Sequence, residues 1–462
     1  MTSHGRDRLV VIGGVAAGMS AASRAKRRNP DLEVVVIERG PYISYGACGI
    51  PYYLAGLIPH LDDLIAFSPE RAYRERHIQV WTEYEAVQIL PAQRKVVVTE
   101  RGSGREKSVS YDRLVLATGG RPIHPSLPGI DLEGVFSVRN LQDAARIQQY
   151  LKERSPRHAL IVGAGYVGLE MAEAFRTRGL EVTVVDKEPH VLPLLDPDVA
   201  ERIEEELTAH GVRFIGNAEL VSLEGTGTKE IFGAVRVKGR RDPLAADLAL
   251  VAIGVRPEVE LAQESGIRLG PTGAIAVTPK METSVPTIYA VGDCAETRHL
   301  VSNRMVYVPL GTTANKQGRV AGENAAGGYG VFKGIVGTSV VKVFDLEVAR
   351  TGLNTREAEE TGFAAVTSTI TAPSRAGYYP GGGPITVKLI MDRWSKRLLG
   401  AQMVGKEGVS KRIDVFACAL HSGMTVEDVS RLDLSYAPPY APVWDPVLVA
   451  ANVGGKELRS AW

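Results

Sequence analysis

Cysteine is scarce in this sequence. Cys48, Cys294 and Cys418 are spread over 462 positions, too far apart for a CxxC dithiol or a zinc-binding spacing, so no metal site is expected. Three thiols are also too few to staple a chain of this size, which excludes a disulfide scaffold and fits a reducing, cytoplasmic setting. Charge of one sign is lacking as well: 54 basic residues face 53 acidic ones, for a formal net charge of +1. Such balance argues against a nucleic-acid surface and against attachment to an anionic membrane. No apolar run approaches the roughly 20 residues of a membrane helix. The N-terminus "MTSHGRDRLVVIGG" has no apolar signal core ahead of its first strand.

What is present is ordinary globular material, 44% hydrophobic and 23% charged, with an ample 49 glycines. At roughly 150 residues per domain the length suggests two to four domains. The stretch "RLVVIGGVAAGMSAASRAKRRNPDLEVVVIER" sets the pattern. A buried strand over residues 9–12 runs into Gly13, Gly14 and Gly18. A small-residue helix follows to Arg28 and is stopped by Asn29-Pro30. A second strand over 34–37 then ends at Glu38. Glycines let the backbone approach a pyrophosphate, the helix N-terminus offers it free N–H groups, and the acid accepts from ribose hydroxyls. The middle glycine of G-x-G-x-x-G is Val15 here. The same device recurs intact in "ALIVGAGYVGLEMAEAFRTRGLEVTVVDKE", with Gly163, Gly165 and Gly168 and with Asp186 closing its second strand. Two dinucleotide folds in one chain point to two dinucleotides. Two further strand-to-turn segments follow the same logic. In "YDRLVLATGGRP" residues 114–117 lead into Thr118 and Gly119, and in "TSVPTIYAVGDCAE" residues 288–291 lead into Gly292 and Asp293, whose carboxylate can face a polyol or phosphate.

On these motifs the chain resembles the pyridine nucleotide–disulfide oxidoreductase superfamily, from end to end. The resemblance implies an α/β fold: two Rossmann-like dinucleotide-binding domains of the glutathione-reductase kind and a C-terminal α/β dimerisation domain. It implies FAD in the first repeat, contacted by Gly13, Gly14, Gly18, Glu38, Arg39, Ser44, Thr118, Gly119 and Asp293. It implies a nicotinamide cofactor in the second, contacted by Gly163, Gly165, Gly168 and Asp186. Tyr166 falls where relatives cover the flavin with a tyrosine, and Glu170 where they line the nicotinamide pocket with a glutamate. An acid at 186 repels a 2′-phosphate, so NADH is expected over NADPH. Lys187 and His190 close by leave NADPH use open.

Cys48 stands alone in "SYGACGIPYY", where most members carry a C-x4-C pair. Pro51 lies where a helix should begin. A thiol at a helix N-terminus is expected to have a lowered pKa and raised reactivity. Cys294 and Cys418 read as buried, inert gap-fillers. The spacing Ser44-x3-Cys48-Gly49-x-Pro51-Tyr52 is similar to the single-cysteine branch: NADH peroxidases, NADH oxidases and coenzyme A disulfide reductases. Ala16 stands where the peroxidases and oxidases have a histidine. Ala47 stands where several of the reductases have an asparagine. The basic run "SRAKRRNP" offers Arg24 and Arg27 as a grip on coenzyme A phosphates, with Ser44 nearby; a solvated helix end is the plain alternative. The segments "AGYYPGGGPITVKLI" and "DLSYAPPYAPVWDP" resemble those whose tyrosines reach the other subunit's active site. Tyr378 (with Tyr379 one register away) and Tyr436 fit best. A phenol there can donate to a departing sulfur.

The implied enzyme is a homodimeric flavoprotein with active sites shared across the interface. It passes electrons from NADH through FAD to a small disulfide held on Cys48 as a mixed disulfide with coenzyme A. The alternatives on the same scaffold are an NADH oxidase or peroxidase, a coenzyme A-dependent polysulfide or persulfide reductase, and a non-catalytic redox-sensing flavoprotein. The expected organisation is an FAD domain over 1–120 and 257–330, a nicotinamide domain over 121–256 and an interface domain over 331–462. No fused sulfur-transferase module is expected after it.

Overall fold

The computed structural model describes residues 7–226 and 231–460. Strand Arg8–Ile12 pairs in parallel with Glu33–Glu38, Leu9 opposite Val34 and Ile12 opposite Ile37. Both are near-continuous runs of Val, Leu and Ile, as a parallel strand covered on two faces requires. Three more strands complete this sheet, in the order Ile288–Ala290, Arg113–Leu116, Arg8–Ile12, Glu33–Glu38, Ile78–Thr82. The crossover helix Ala16–Arg28 buries Ala17, Ala21, Ala22 and Ala25. Its alanines let helix Gly311–Ala325 approach so closely that a Cβ on Gly318 or Gly322 would strike the carbonyl oxygen of Ala17 or Ala21, at 2.3 and 2.2 Å.

The second parallel sheet repeats the first, in the order Val212–Ile215, Glu181–Val185, His158–Val162, Leu248–Val251, Val135–Phe136. Each half also carries a small antiparallel sheet: Tyr84–Leu90, Lys95–Glu100 and Glu106–Ser110 in the first, and Leu220–Gly225, Phe232–Val237 and Leu244–Ala245 in the second. The chain passes from the first half to the second along Gly120–Pro122 and returns along Val255–Pro257. These two crossings pair antiparallel, Gly120 opposite Pro257.

The C-terminal part is a five-stranded antiparallel sheet in the order Ser339–Val343, Leu346–Gly352, Leu398–Gly405, Pro384–Asp392, Ala365–Pro373. Helices Val409–Ser422 and Pro446–Ser460 pack against it through Ile413, Phe416, Val447 and Ala451. The second half is fastened to this sheet by a polar cluster. Lys388 Nζ lies 2.9 Å from Asp196 and 2.6 Å from Asp198, and Thr355 donates to Asp196 through its backbone N–H (3.1 Å) and its hydroxyl (2.6 Å). Burial pushes the Asp196 pKa up, but the Thr355 and Lys388 hydrogen bonds outweigh it and hold the carboxyl below its ordinary range. Cys294 is buried as expected. Cys418 is not: it sits on the outer side of helix Val409–Ser422, because the inward stripe of that helix falls on Ile413, Phe416 and Leu420. Among the described residues no helix is long and apolar enough to cross a membrane.

Candidate active site

Both glycine turns are built alike. Gly13 (φ +102°) and Gly163 (φ +106°) need the left-handed backbone that glycine permits. A Cβ on Gly18 would lie 1.8 Å from the Gly13 carbonyl oxygen, and one on Gly168 1.9 Å from that of Gly163, so these glycines set helix against strand. A Cβ on Gly14 would crowd Ile43 at 2.7 Å, whereas one on Gly165 would meet nothing within 4 Å. Neither Ala16–Arg28 nor Tyr166–Thr177 has a side-chain cap, while helices Leu141–Arg154, Thr355–Glu360 and Val426–Ser430 each have a capping box. The first-turn N–H groups of the two crossover helices are therefore open to an anion.

The acids close each turn. Glu38 Oε2 accepts from the Gly14 N–H at 2.7 Å and Oε1 from the Gly40 N–H at 2.7 Å. Asp186 Oδ2 accepts from the Ala164 N–H at 2.5 Å and Oδ1 from the Glu188 N–H at 2.9 Å. Burial raises the Glu38 pKa, with the Gly14 and Gly40 hydrogen bonds opposing. Arg39 makes a two-pronged pair with Glu258, at 2.5 and 2.9 Å, and the Thr118 hydroxyl donates to the Glu258 carbonyl at 2.7 Å beside Gly119. Ser44 (φ +48°) donates its N–H to the Gly14 carbonyl at 2.9 Å. Asp293 pairs with Arg139 at 2.5 Å. Two buried polar atoms near this turn lack partners among the described residues: the Tyr307 hydroxyl, against Gly120, and Nε2 of Gln317, whose Oε1 accepts from the Gly292 N–H at 2.8 Å. Burial first, then the Asp293 carboxylate, raises the Tyr307 pKa. Open helix ends, a cleared Gly165 and unpaired donors around Asp293 together fit two dinucleotides.

Cys48 lies in a single 3-10 turn, Ala47–Gly49, before the short helix Ile50–Ala55 with Pro51 in its first turn. Ile50 and Leu54 are buried beside Leu64, and Gly49 makes room for Leu64, whose Cδ2 would lie 2.3 Å from a Cβ there. The helix packs on Tyr166–Thr177, and Arg178 Nε caps it by donating to the Leu54 carbonyl at 2.7 Å. Cys48 is exposed. Its pKa is raised, not lowered as the helix-end argument expects. Desolvation of the sulfur is the larger cause and the Glu170 carboxylate the next, with Arg139 opposing. A six-residue helix has too little aligned dipole to outweigh them. Glu170 has no hydrogen-bond or ion-pair partner among the described residues. Burial and then Glu173 push it up to about 7. Glu173 is satisfied by Lys342 and by the Phe344 N–H at 2.8 Å, and the Tyr166 hydroxyl lies 2.7 Å from the Ser339 hydroxyl.

The basic run divides. Arg24 Nε pairs with Glu323 at 2.7 Å and Arg28 with the same acid at 3.3 Å. Arg27 has no carboxylate partner among the described residues. Slight burial and the charges of Arg76, Arg24 and Arg319 lower its pKa. Arg76 donates to Ser23 at 2.5 Å and lies 4.3 Å from the Phe67 ring centre, with Arg71 at 4.9 Å from the same ring. An arginine cluster around one aromatic ring suits a phosphorylated, ring-bearing ligand. The Tyr378 and Tyr436 hydroxyls stand 2.9 Å apart on the outer surface of the C-terminal part. Sequence reasoning missed Arg139 on the second half, Tyr307 and Glu258 on the first, and Phe67, Arg71 and Arg76 near Arg27. The run "FSPERAYRER", with four basic or aromatic residues on one short helix, was the available signal for the last group.

Two dinucleotide cradles, with one cysteine under the influence of charged groups from both halves, define a flavin- and nicotinamide-dependent disulfide oxidoreductase. The chain belongs to the pyridine nucleotide-disulphide oxidoreductase family, whose model matches residues 7–318, and the family's dimerisation domain matches residues 338–446. It is 40% identical over 449 residues to the NAD(P)H sulfur oxidoreductase (CoA-dependent) of Pyrococcus furiosus, covering 97% of this chain and 99% of that protein. It is 31% identical over 441 residues to the coenzyme A disulfide reductase of Staphylococcus haemolyticus, covering 94% and 96%. The solved structure of reduced Bacillus anthracis CoADR-RHD superposes with a TM-score of 0.95 at 37% identity, covering 99% of this chain and 81% of that one. The α/β fold, the use of FAD and NAD(P)H and the enzyme class expected from the sequence therefore stand.

Proposed function

We propose that the chain is an NADH-dependent coenzyme A disulfide reductase that works as a homodimer through Cys48. The observation that carries this reading is one thiol that feels Glu170 of the second half and Asp293 of the first and that forms no disulfide with either other cysteine. The missing sulfur then has to arrive with the substrate. Arg76 over the Phe67 ring, with Arg27 within its electrostatic reach, supplies the phosphate grip; Arg24 is partly spent on Glu323 and Arg71 on Glu75 at 3.0 Å. Deprotonated Cys48 attacks one sulfur of the disulfide; one coenzyme A leaves as thiolate and the other stays bonded to Cys48. FAD, when bound, supplies the two electrons from NADH that split this mixed disulfide into the Cys48 thiolate and the second coenzyme A thiolate. Gly13, Gly14, Gly18, Glu38, Ser44 and Asp293 hold the flavin; Gly163, Gly165, Gly168 and Asp186 hold the nicotinamide cofactor. The Tyr378–Tyr436 pair of the other subunit donates a hydrogen bond to the departing thiolate. Asp186, backed by Glu188 and with His190 spent on Glu204 at 3.2 Å, favours NADH.

A second reading, a coenzyme A-dependent sulfur reductase, is favoured by the 40% identity to the Pyrococcus furiosus protein. Intact mass and a peptide map of protein purified without thiol, before and after coenzyme A disulfide, test the mechanism. A coenzyme A adduct confined to Cys48 supports it, and Cys48→Ser should keep FAD and lose disulfide reduction. An untouched Cys48, or full activity in Cys48→Ser, sinks it. Sulfide release from polysulfide only when coenzyme A is present would favour the second reading.

A further inference from the structure

The segments that carry Tyr378 and Tyr436 contain no helix or strand. Two hydroxyls on such segments nonetheless meet at 2.9 Å. Something outside them must fix both. One backbone bond joins them, from the Ala376 N–H to the Pro438 carbonyl at 3.3 Å. The stronger tie is a single, largely enclosed arginine on helix Val409–Ser422. Arg412, with its side chain 12% exposed, donates Nη2 to the Ser374 carbonyl at 3.0 Å and to the Tyr440 carbonyl at 3.1 Å. Its Nη1 donates to the Gly408 carbonyl at 3.1 Å and its Nε to Asp445 Oδ2 at 2.8 Å. Ser374 opens the Tyr378 segment; Tyr440 and Asp445 close the Tyr436 segment. The other Asp445 oxygen accepts from the Val447 N–H at 2.9 Å, which anchors the pair to the last helix. Gly408 (φ +73°) keeps the space clear: a Cβ there would lie 2.2 Å from Nη1. No lysine could replace this fork, because a point ammonium cannot reach four acceptors spread around a plane.

We propose that Arg412 is a positioning residue for the Tyr378–Tyr436 pair, holding both phenols in the arrangement that the disulfide substrate meets. This rests on the reading of the two tyrosines as substrate-facing. The guanidinium never touches the substrate; it sets where two irregular segments stop.

The test uses the FAD-loaded dimer and three readouts. Arg412→Lys is expected to lower kcat/KM for coenzyme A disulfide roughly tenfold, since small misplacements of reacting groups are costly. NADH oxidation by ferricyanide, which needs neither tyrosine, should stay unchanged. In a Tyr378→Phe/Tyr436→Phe background, Arg412→Lys should cost less than about twofold, because coupled residues are not additive. The third readout is ultraviolet titration of the tyrosines. The hydroxyl–hydroxyl bond raises the Tyr436 pKa, so Arg412→Lys should bring that transition down, identified by its loss in Tyr436→Phe. Asp445→Asn, which weakens the same anchor, should reproduce all three effects if Arg412→Lys fails to fold. An unmoved Tyr436 titration overturns the positioning role, as does an equal cost with and without the tyrosines when the double tyrosine variant is itself impaired. Full disulfide reduction by the double tyrosine variant, with the titration shift intact, overturns the substrate-facing reading and leaves the positioning role standing.

Discussion

The two glycine turns of this chain are near copies in backbone and different in what surrounds them. Each has a first glycine at φ above +100°, a last glycine whose missing Cβ lets helix meet strand, and an acid that accepts from the second residue of the turn. The acid is therefore part of the scaffold before it is part of a ribose site. The differences lie one layer out. Val15 stands where the second turn has Gly165. Seven residues after the first glycine, the first helix has Ser20, bonded to Asn315 at 2.6 Å, and the second has Glu170, whose carboxyl is largely desolvated. A shared backbone thus carries one helix that docks on protein and another that presents a carboxyl to the cysteine.

The comparison breaks hardest at the last glycines. Gly18→Ala and Gly168→Ala each force a Cβ onto a carbonyl oxygen, at a cost of about 3 kcal/mol. Gly18→Ala should elute without flavin, whereas Gly168→Ala should keep flavin that NADH no longer reduces. Absorbance of the purified proteins, followed by anaerobic NADH addition, checks this. Flavin loss from both would mean that the halves do not fold as separate cradles.

Next comes Glu170. Its folded pKa of about 7 lies above the ordinary carboxyl value, so protonation favours the fold. That stability is complete below about pH 4.5, drains away between pH 4.5 and 7, and is absent above. Glu170→Gln should therefore leave apo-protein stability unchanged at pH 4.5 and raise it by about 2 kcal/mol at pH 8, after allowing for partial solvent contact. Ser20→Ala, at the matching place, should show no such pH dependence. Thermal melts across pH decide it; a flat difference for Glu170→Gln would refute the desolvated carboxyl.

Smaller effects sharpen the picture. Asp186→Asn weakens a charged acceptor in its turn and should shift NADH over NADPH selectivity roughly tenfold, about 1.5 kcal/mol. Parallel kcat/KM measurements with both cofactors would show it. Gly165→Ala meets no atom and should alter stability by less than about 0.5 kcal/mol. Its effect should fall on the KM for NADH alone, because only the cofactor occupies that space.

Local signals made the repeats legible. The strands expected at 9–12 and 34–37 are Arg8–Ile12 and Glu33–Glu38, and the helix expected to stop at Arg28 does so. Valine runs, glycine spacing and Asn-Pro are all short-range, so they survive without coordinates. The electrostatics of Cys48 did not. The helix-end argument used only its sequence neighbours, while burial of the sulfur in the folded chain is the largest influence on its ionisation and the next two, Glu170 and Arg139, both come from the second half. Arg139 lies 154 residues from Asp293, and no spacing rule reaches that far. Cys418 was misread for the opposite reason. The apolar string "IDVFACALH" hides a helical stripe that leaves position 418 outside.

The paired crossings Gly120–Pro122 and Val255–Pro257 have one more consequence. Everything between them enters and leaves the first half through two antiparallel strands, spaced about 5 Å apart as neighbouring strands are. Topologically, the second half is a cassette with both terminals on one edge. A foreign α/β unit whose ends lie one strand-width apart could be spliced in without moving the first sheet. It would still have to supply its own Asp196 and Asp198, since the socket that receives them, Lys388 and Thr355, belongs to neither end of the splice.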